Sequence, residues 1–220
     1  MKTKITITLD QARSWFRSGN EELRELALQA FRKDALVGSF RDITTFEKAC
    51  EVIGLHYDAY DAIVSGVVDF IATVSVASAA MFKLNIIRRA LNLSYDMHFA
   101  KNPRNSFIYY PYNPLATIPE GCNYYKEQIN SGIFQIIGKV KIEGVKYNVL
   151  GGGVTYDINS GLGGFNYQTG ICRCMSEVSL FGCATKEIAE HFGKYFGMLI
   201  TETKYADKDF EVIESKYYLR

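Results

Sequence analysis

A change of hydrophobic period divides this chain. Through the first 95 or so residues, apolar side chains recur every three or four positions, the repeat of one helix face. From Ser106 onward they alternate in twos, the repeat of a strand, and a helical repeat returns after Thr185. A helix and a strand each have an apolar side that must be covered, and grouped helices followed by grouped strands do this by segregating to opposite sides of one core. The expected fold is therefore α+β: N-terminal helices and a long central helix packed on an antiparallel sheet with a C-terminal helix.

The helical part reads in pieces. Residues 4–8 alternate as a short opening strand, and residues 9–16 follow with helical spacing that stops at Ser18-Gly19-Asn20. Asn20 caps a second helix over residues 21–31, where Glu21 and Glu22 suit the positive end of the helix dipole. Leu23, Leu26, Ala27 and Ala30 form its inner stripe. A third helix spans residues 46–53, capped by Thr44 or Thr45 and ended by Gly54. The clearest helix is central: Val76, Ala80, Leu84, Ile87 and Leu91 share one face, with Lys83, Arg88 and Arg89 off that seam. Residues 62–82 carry one charge, Asp69, and the wholly uncharged run 70–82 is too short to span a bilayer. Ser65, Gly66, Thr73, Ser75 and Ser78 interrupt it, and anchoring residues do not flank both sides, so a buried core helix is expected, and no membrane.

Strand patterns follow at residues 107–110, ended by Pro111, and at 133–142 and 145–150 as a hairpin around Glu143-Gly144. Further short strands fit residues 154–158, 164–168, 171–175 and 178–181. Thr185 caps the last helix, with Ile188, Phe192, Phe196 and Leu199 facing inward, and a charged, aromatic tail follows Thr201 with one more strand or helix. The organisation expected is an N-terminal helical module over residues 1–54 and an α+β domain over 55–220, together one compact unit; the best internal boundary lies between Asp96 and Ser106.

Composition narrows the setting. A chain of 220 residues that is 48% hydrophobic and 22% charged can build its own core. With 25 basic and 24 acidic residues it lacks the basic excess by which nucleic-acid binders neutralise phosphate. The odd, irregularly spaced set Cys50, Cys122, Cys172, Cys174 and Cys183 is no disulfide framework, and the first residues lack the apolar run of a signal peptide. A reducing compartment is expected.

Three stretches carry a family likeness. They are residues 7–13 (ITLDQAR) with 18–31 (SGNEELRELALQAF), the strand Tyr109-Tyr110-Pro111-Tyr112, and residues 181–196 (FGCATKEIAEHFGKYF). Together they resemble an uncharacterised family of gut Bacteroidetes phage and prophage proteins. The resemblance implies a phage or prophage context, hence the host cytoplasm or the virion, and it brings no activity, because the matched positions are caps, core residues and turn glycines. The segment from about Cys122 to Gly163 departs from the shorter family pattern, which makes it a candidate for a specialised function.

Each potentially reactive pattern competes with plain packing. Cys172-Arg173-Cys174 has a one-residue gap, poor for zinc, and free cysteines serve as small hydrophobes; no metal is expected. Gly151-Gly152-Gly153 and Gly161-Leu162-Gly163-Gly164 do not lead into a helix, as a phosphate loop must, so turns and bulges explain them and no cofactor is expected. His56 lies near Asp58 and Asp61, His98 stands apart, and His191 sits among core positions of the last helix, so an enzyme is the lesser reading. The most suggestive feature is tyrosine, 15 in all. Tyrosine joins a rigid ring to a polar tip, which suits contact surfaces. Tyr109, Tyr110, Tyr112, Tyr124, Tyr125, Tyr156 and Tyr167 are the candidate binding surface, with Tyr147 also in the strand-rich half. Arg88 and Arg89 join the surface if the central helix ends beside the first long strand, with Lys101 and Arg104 extending a basic patch.

These features lead to a non-enzymatic phage-associated binding or assembly protein, a virion component or a host-interaction factor, whose partner is another protein or a second copy. The alternatives are a nucleic-acid or nucleotide-binding counter-defence protein and an unrecognised enzyme.

Overall fold

The computed structural model describes residues 6–18, 20–55, 66–94, 107–117, 125–158 and 181–217. Helices come first: α1 (Leu9–Arg17), α2 (Glu21–Ala30), α3 (Lys33–Val37), a 3-10 turn at Phe40–Asp42, α4 (Phe46–Val52), α5 (Gly66–Val74) and α6 (Val76–Leu91). Strands β1 (Phe107–Tyr112) and β2 (Leu115–Thr117), helix α7 (Lys126–Asn130), and strands β3 (Gln135–Ile142), β4 (Val145–Gly151) and β5 (Gly153–Ile158) follow. Helix α8 (Lys186–Tyr205) and strand β6 (Phe210–Ser215) complete the order. The fold is α+β, with N-terminal and central helices packed against antiparallel strands and a long C-terminal helix.

The helix starts are written in the local sequence. Thr8 and Gln11 form a reciprocal capping box at α1, so residues 6–8 serve as its cap and not as part of an opening strand. Asn20, Thr45, Ser75 and Thr185 cap α2, α4, α6 and α8 through their side-chain oxygens. Arg13 Nε donates to the Ala35 carbonyl at 3.0 Å, and Arg17 pairs with Glu51 at 3.3 Å, tying α1 to α3 and α4. Neither α3 nor the 3-10 turn was legible as periodicity, since elements this short have no full turn to repeat.

Two differences from the sequence reading concern the apolar run and the sheet. Residues 62–82 do not make one buried helix: Ser75 breaks the run between α5 and α6, and α5 lies largely exposed, with Val68 as its one buried residue. Phe70 is 70% and Val74 78% exposed. The Ser75 side chain accepts from the Ser78 amide at 3.2 Å, and that local bond starts a new helix where hydropathy alone would continue the old one. Among the described residues no helix is long and apolar enough to cross a membrane. The strands form two units, a four-stranded sheet in the order β2-β4-β3-β6 and a two-stranded ribbon β1-β5, all neighbours antiparallel. The hairpin around Glu143-Gly144 joins β3 to β4 as expected. The expected strands over 164–180 lie outside the described residues.

Helix α8 organises the interior. Ile188, Phe192, Phe196, Leu199 and Ile200 join a core built from α1–α4 and α6, including Phe16, Leu36, Ile43, Leu84 and Ile87. Met198 turns the other way, into the core of the four-stranded sheet with Ile137, Val140 and Val149. Helix and sheet approach closely at Gly193 and Gly197. A Cβ at Gly197 would stand 2.5 Å from Ile137 Cδ1, and one at Gly193 would be 3.1 Å from Pro111 Cβ. Asn113 fills this notch, its Nδ2 donating to the carbonyls of Leu150 at 2.9 Å and Gly193 at 2.8 Å.

Candidate functional site

The first turns of α8 form one wall of a cleft of about 620 Å³. That size falls in the range of ligand-binding cavities. Lys186, Glu187, Glu190, His191, Lys194 and Tyr195 come from α8, and Phe40 and Arg41 from the 3-10 turn. The facing side is Gly132, Ile133 and Gln135 before and within β3, with Gly152 and Val154 where β4 passes into β5. Gly152 has φ +93°, a backbone conformation open to glycine, and there the chain leaves the four-stranded sheet for the ribbon. This is the outcome for Gly151-Gly152-Gly153: a strand-to-strand corner instead of a strand-to-helix phosphate loop. Gly161 to Gly164 lie outside the described residues.

His191 sits at the base of the helical wall. Its Nε2 is 2.7 Å from the Ile43 carbonyl, which can only accept, so the neutral ring carries its proton on Nε2. Phe40 meets the ring edge-on with centroids 5.5 Å apart, and Tyr195 lies 4.5 Å away on its other contact. Burial holds its pKa below the ordinary histidine range; the Ile43 bond and Asp42 oppose this shift, while Lys194 and Arg41 reinforce it. A neutral imidazole results at neutral pH.

The rim carries both signs of charge. Lys186 pairs with Glu190 at 3.5 Å, one turn apart on exposed helix surface. Glu187, fully exposed, is held below the usual carboxylate range chiefly by its own backbone amide and by Thr185, with help from Lys186 and Arg41. The Arg41 guanidinium lies over the Phe40 ring at 4.8 Å, and the Lys194 ammonium over Tyr195 at 5.2 Å.

The described tyrosines of the predicted surface lie outside the cleft lining. Tyr109 and Tyr110 are both half-buried and both pack on the helical core, so alternation along β1 does not send one of them into solvent. At these two positions both faces of β1 are covered. Tyr112 and Tyr125 flank Phe134, at centroid distances of 6.0 and 5.6 Å, and thereby back the residue next to Ile133 in the cleft wall. Tyr147 packs on the sheet core. Tyr156 belongs to β5, placed opposite Tyr109, and its side chain lies outside the described residues, as do Tyr124 and Tyr167 entirely. None of the described tyrosines in the predicted set lines the cleft.

Arg88 and Arg89 do end their helix close to β1. Asn92 closes α6 and accepts from the Ala184 amide at 2.8 Å, while Cys183 exchanges backbone hydrogen bonds with Tyr109. Arg89 is exposed, but Arg88 is half-buried, its Nε lacks a hydrogen-bond partner, and burial lowers its pKa. Lys101 and Arg104 lie outside the described residues. Cys50 and Cys183 are buried free thiols, and burial pushes the Cys50 pKa up to about 12 and the Cys183 pKa higher still. Cys122, Cys172, Cys174, His56 and His98 lie outside the described residues, among which no three metal-ligating side chains cluster.

The sequence reading missed the cleft because its parts lie far apart in the chain: Phe40, Ile133, Val154 and His191 meet only in the fold. The one available signal was the spacing of Lys186, Glu187, Glu190 and Lys194 along the exposed side of a helix whose other side is core. No protein-family model matches the chain, and no curated protein or solved structure matches it either.

Proposed function

We propose that this chain is a non-enzymatic, phage-associated binding or assembly protein that holds a partner chain in the cleft beside α8. The observation that carries the reading is the cleft itself, where Phe40, Ile133 and Val154 supply apolar lining beside charges of both signs. Apolar contacts supply the attraction, and charges of both signs fix orientation and reject wrong partners. A phosphate backbone would meet Glu187 and Glu190 among the cations, so the same rim favours protein over nucleic acid. The phage association rests on the likeness of residues 7–13, 18–31, 109–112 and 181–196 to that family. In this reading Tyr112 and Tyr125 support the cleft wall through Phe134.

A second reading, an enzyme, is favoured by one observation: His191 shares the cleft with Glu187, Glu190 and Tyr195, the residue types of acid-base chemistry. Against it stands the hydrogen bond from Nε2 to Ile43, which places the ring as a strut between α8 and the helical module.

Cross-linking mass spectrometry on protein recovered from its native source tests the main reading. Amine cross-links to a partner should concentrate at Lys186 and Lys194, not at Lys208, which pairs with Glu143 past the opposite end of α8. Cross-links scattered over all lysines would remove the cleft as the contact site. A fixed copy number in purified particles would select the virion role, and absence from them the host-interaction role.

A further inference from the structure

We infer that the partner enters as an extended peptide that adds a strand to the outer edge of β5 and places an acidic side chain between Arg41 and Lys194. This inference rests on the cleft reading above and specifies its occupant. Backbone direction sets the edge. The Tyr109 N–H donates to the Cys183 carbonyl at 3.1 Å and the Tyr109 carbonyl accepts from the Cys183 amide at 2.8 Å, so both backbone groups point away from β5. Backbone direction alternates along a strand, so Ile108, Tyr110 and Tyr112 are the residues bonded to β5, opposite Asp157, Thr155 and Gly153. Pro111, which has no N–H, sits on the side where none is needed.

By the same alternation, Val154, Tyr156 and Ile158 turn their N–H and C=O groups away from β1. Among the described residues no strand pairs with that outer edge, and Val154, at its start, lines the cleft. An edge whose donors and acceptors meet no described strand, opening into a groove lined by both apolar and charged side chains, is what strand addition uses: main-chain bonds supply affinity and alternate side chains supply specificity. Gly152 and Gly132 keep the approach free of side chains.

Charge selects the sequence of the peptide. Lys186 is engaged by Glu190, whereas Lys194 and Arg41 rest on the rings of Tyr195 and Phe40. Both line the cleft together with His191. Glu187 answers Arg41 only from exposed surface, so one cation remains to be matched by a carboxylate on the incoming strand.

The test is selection from a library of linear octapeptides against the full chain. Selected peptides should carry an acidic residue flanked at alternate positions by apolar ones. N-methylation at every second backbone amide should weaken them roughly five- to ten-fold per site, the effect of one lost hydrogen bond, with the intervening amides insensitive. Val154→Pro removes one outward donor without touching the β1 ladder, and it should weaken binding similarly while the circular dichroism is retained. Lys194→Glu should abolish the acidic preference. Binding that is lost in Lys194→Glu but indifferent to N-methylation at every position would overturn strand addition and leave the cleft reading standing. Peptides unaffected by Lys194→Glu, or no enrichment at all, would sink both.

Discussion

At the scale of single residues, two side chains join parts of the molecule that the chain order keeps apart. Asn113 bonds two carbonyls, one on β4 and one on α8. Asn113→Ala should cost about 1–3 kcal/mol, because two hydrogen bonds that join β4 to α8 are lost, and urea unfolding will register it. His191 joins α8 to Ile43. Since burial lowers its folded pKa, the unfolded chain takes up a proton that the folded chain refuses. Its contribution is therefore whole above the unfolded value of about 6.5 and is lost as pH falls from there through the lower folded value. The melting temperature should fall between pH 7 and pH 5 more steeply in the native protein than in His191→Gln, whose amide can still donate to Ile43. Equal slopes would show that this histidine does not couple folding to protons.

At the scale of elements, α8 is decided by opposed demands. Gly193 and Gly197 are poor residues for a helix interior, each weakening it by about 1 kcal/mol relative to alanine. They are present because a Cβ at either would press on Pro111, Asn113 or Ile137. Gly197→Ala should therefore destabilise, overpacking by about 1–3 kcal/mol outweighing the gain in helix propensity. Gly144→Ala at the exposed β3–β4 turn is limited by its φ of +81° and not by space, so it reports backbone strain alone. Helix α5 shows the converse case. Its composition is that of a core helix, yet only Val68 is buried, since burial depends on which neighbours the fold supplies.

At the scale of the whole molecule, the helical module and the sheet share α8, with Phe192 and Phe196 in one core and Met198 in the other. The described parts should unfold as one unit. Trp15 reports the helical side, packed against its core. Its fluorescence and the exchange of the Val140 and Val149 amides in the sheet should give the same urea midpoint, as two-state behaviour requires. Separate midpoints would mean that residues 1–54 form an independent domain. Native-state alkylation should likewise spare Cys50 and Cys183 until that common transition, since both thiols are buried and protonated.

Local signals carried most of the fold class. Caps at Asn20, Thr45 and Thr185, the seam of α6 and the Glu143-Gly144 hairpin were all readable, because each depends on residues within a few positions of one another. The split of the strands into sheet and ribbon was not readable, nor were the exposure of α5 and the enclosure of Tyr109 and Tyr110. Those outcomes turn on long-range neighbours. The cleft is the extreme instance: Phe40, Ile133, Val154 and His191 have no relation along the chain, and packing around α8 alone brings them to one place. Period and capping are properties of a segment, whereas burial, proximity and an open strand edge are properties of an assembly of segments.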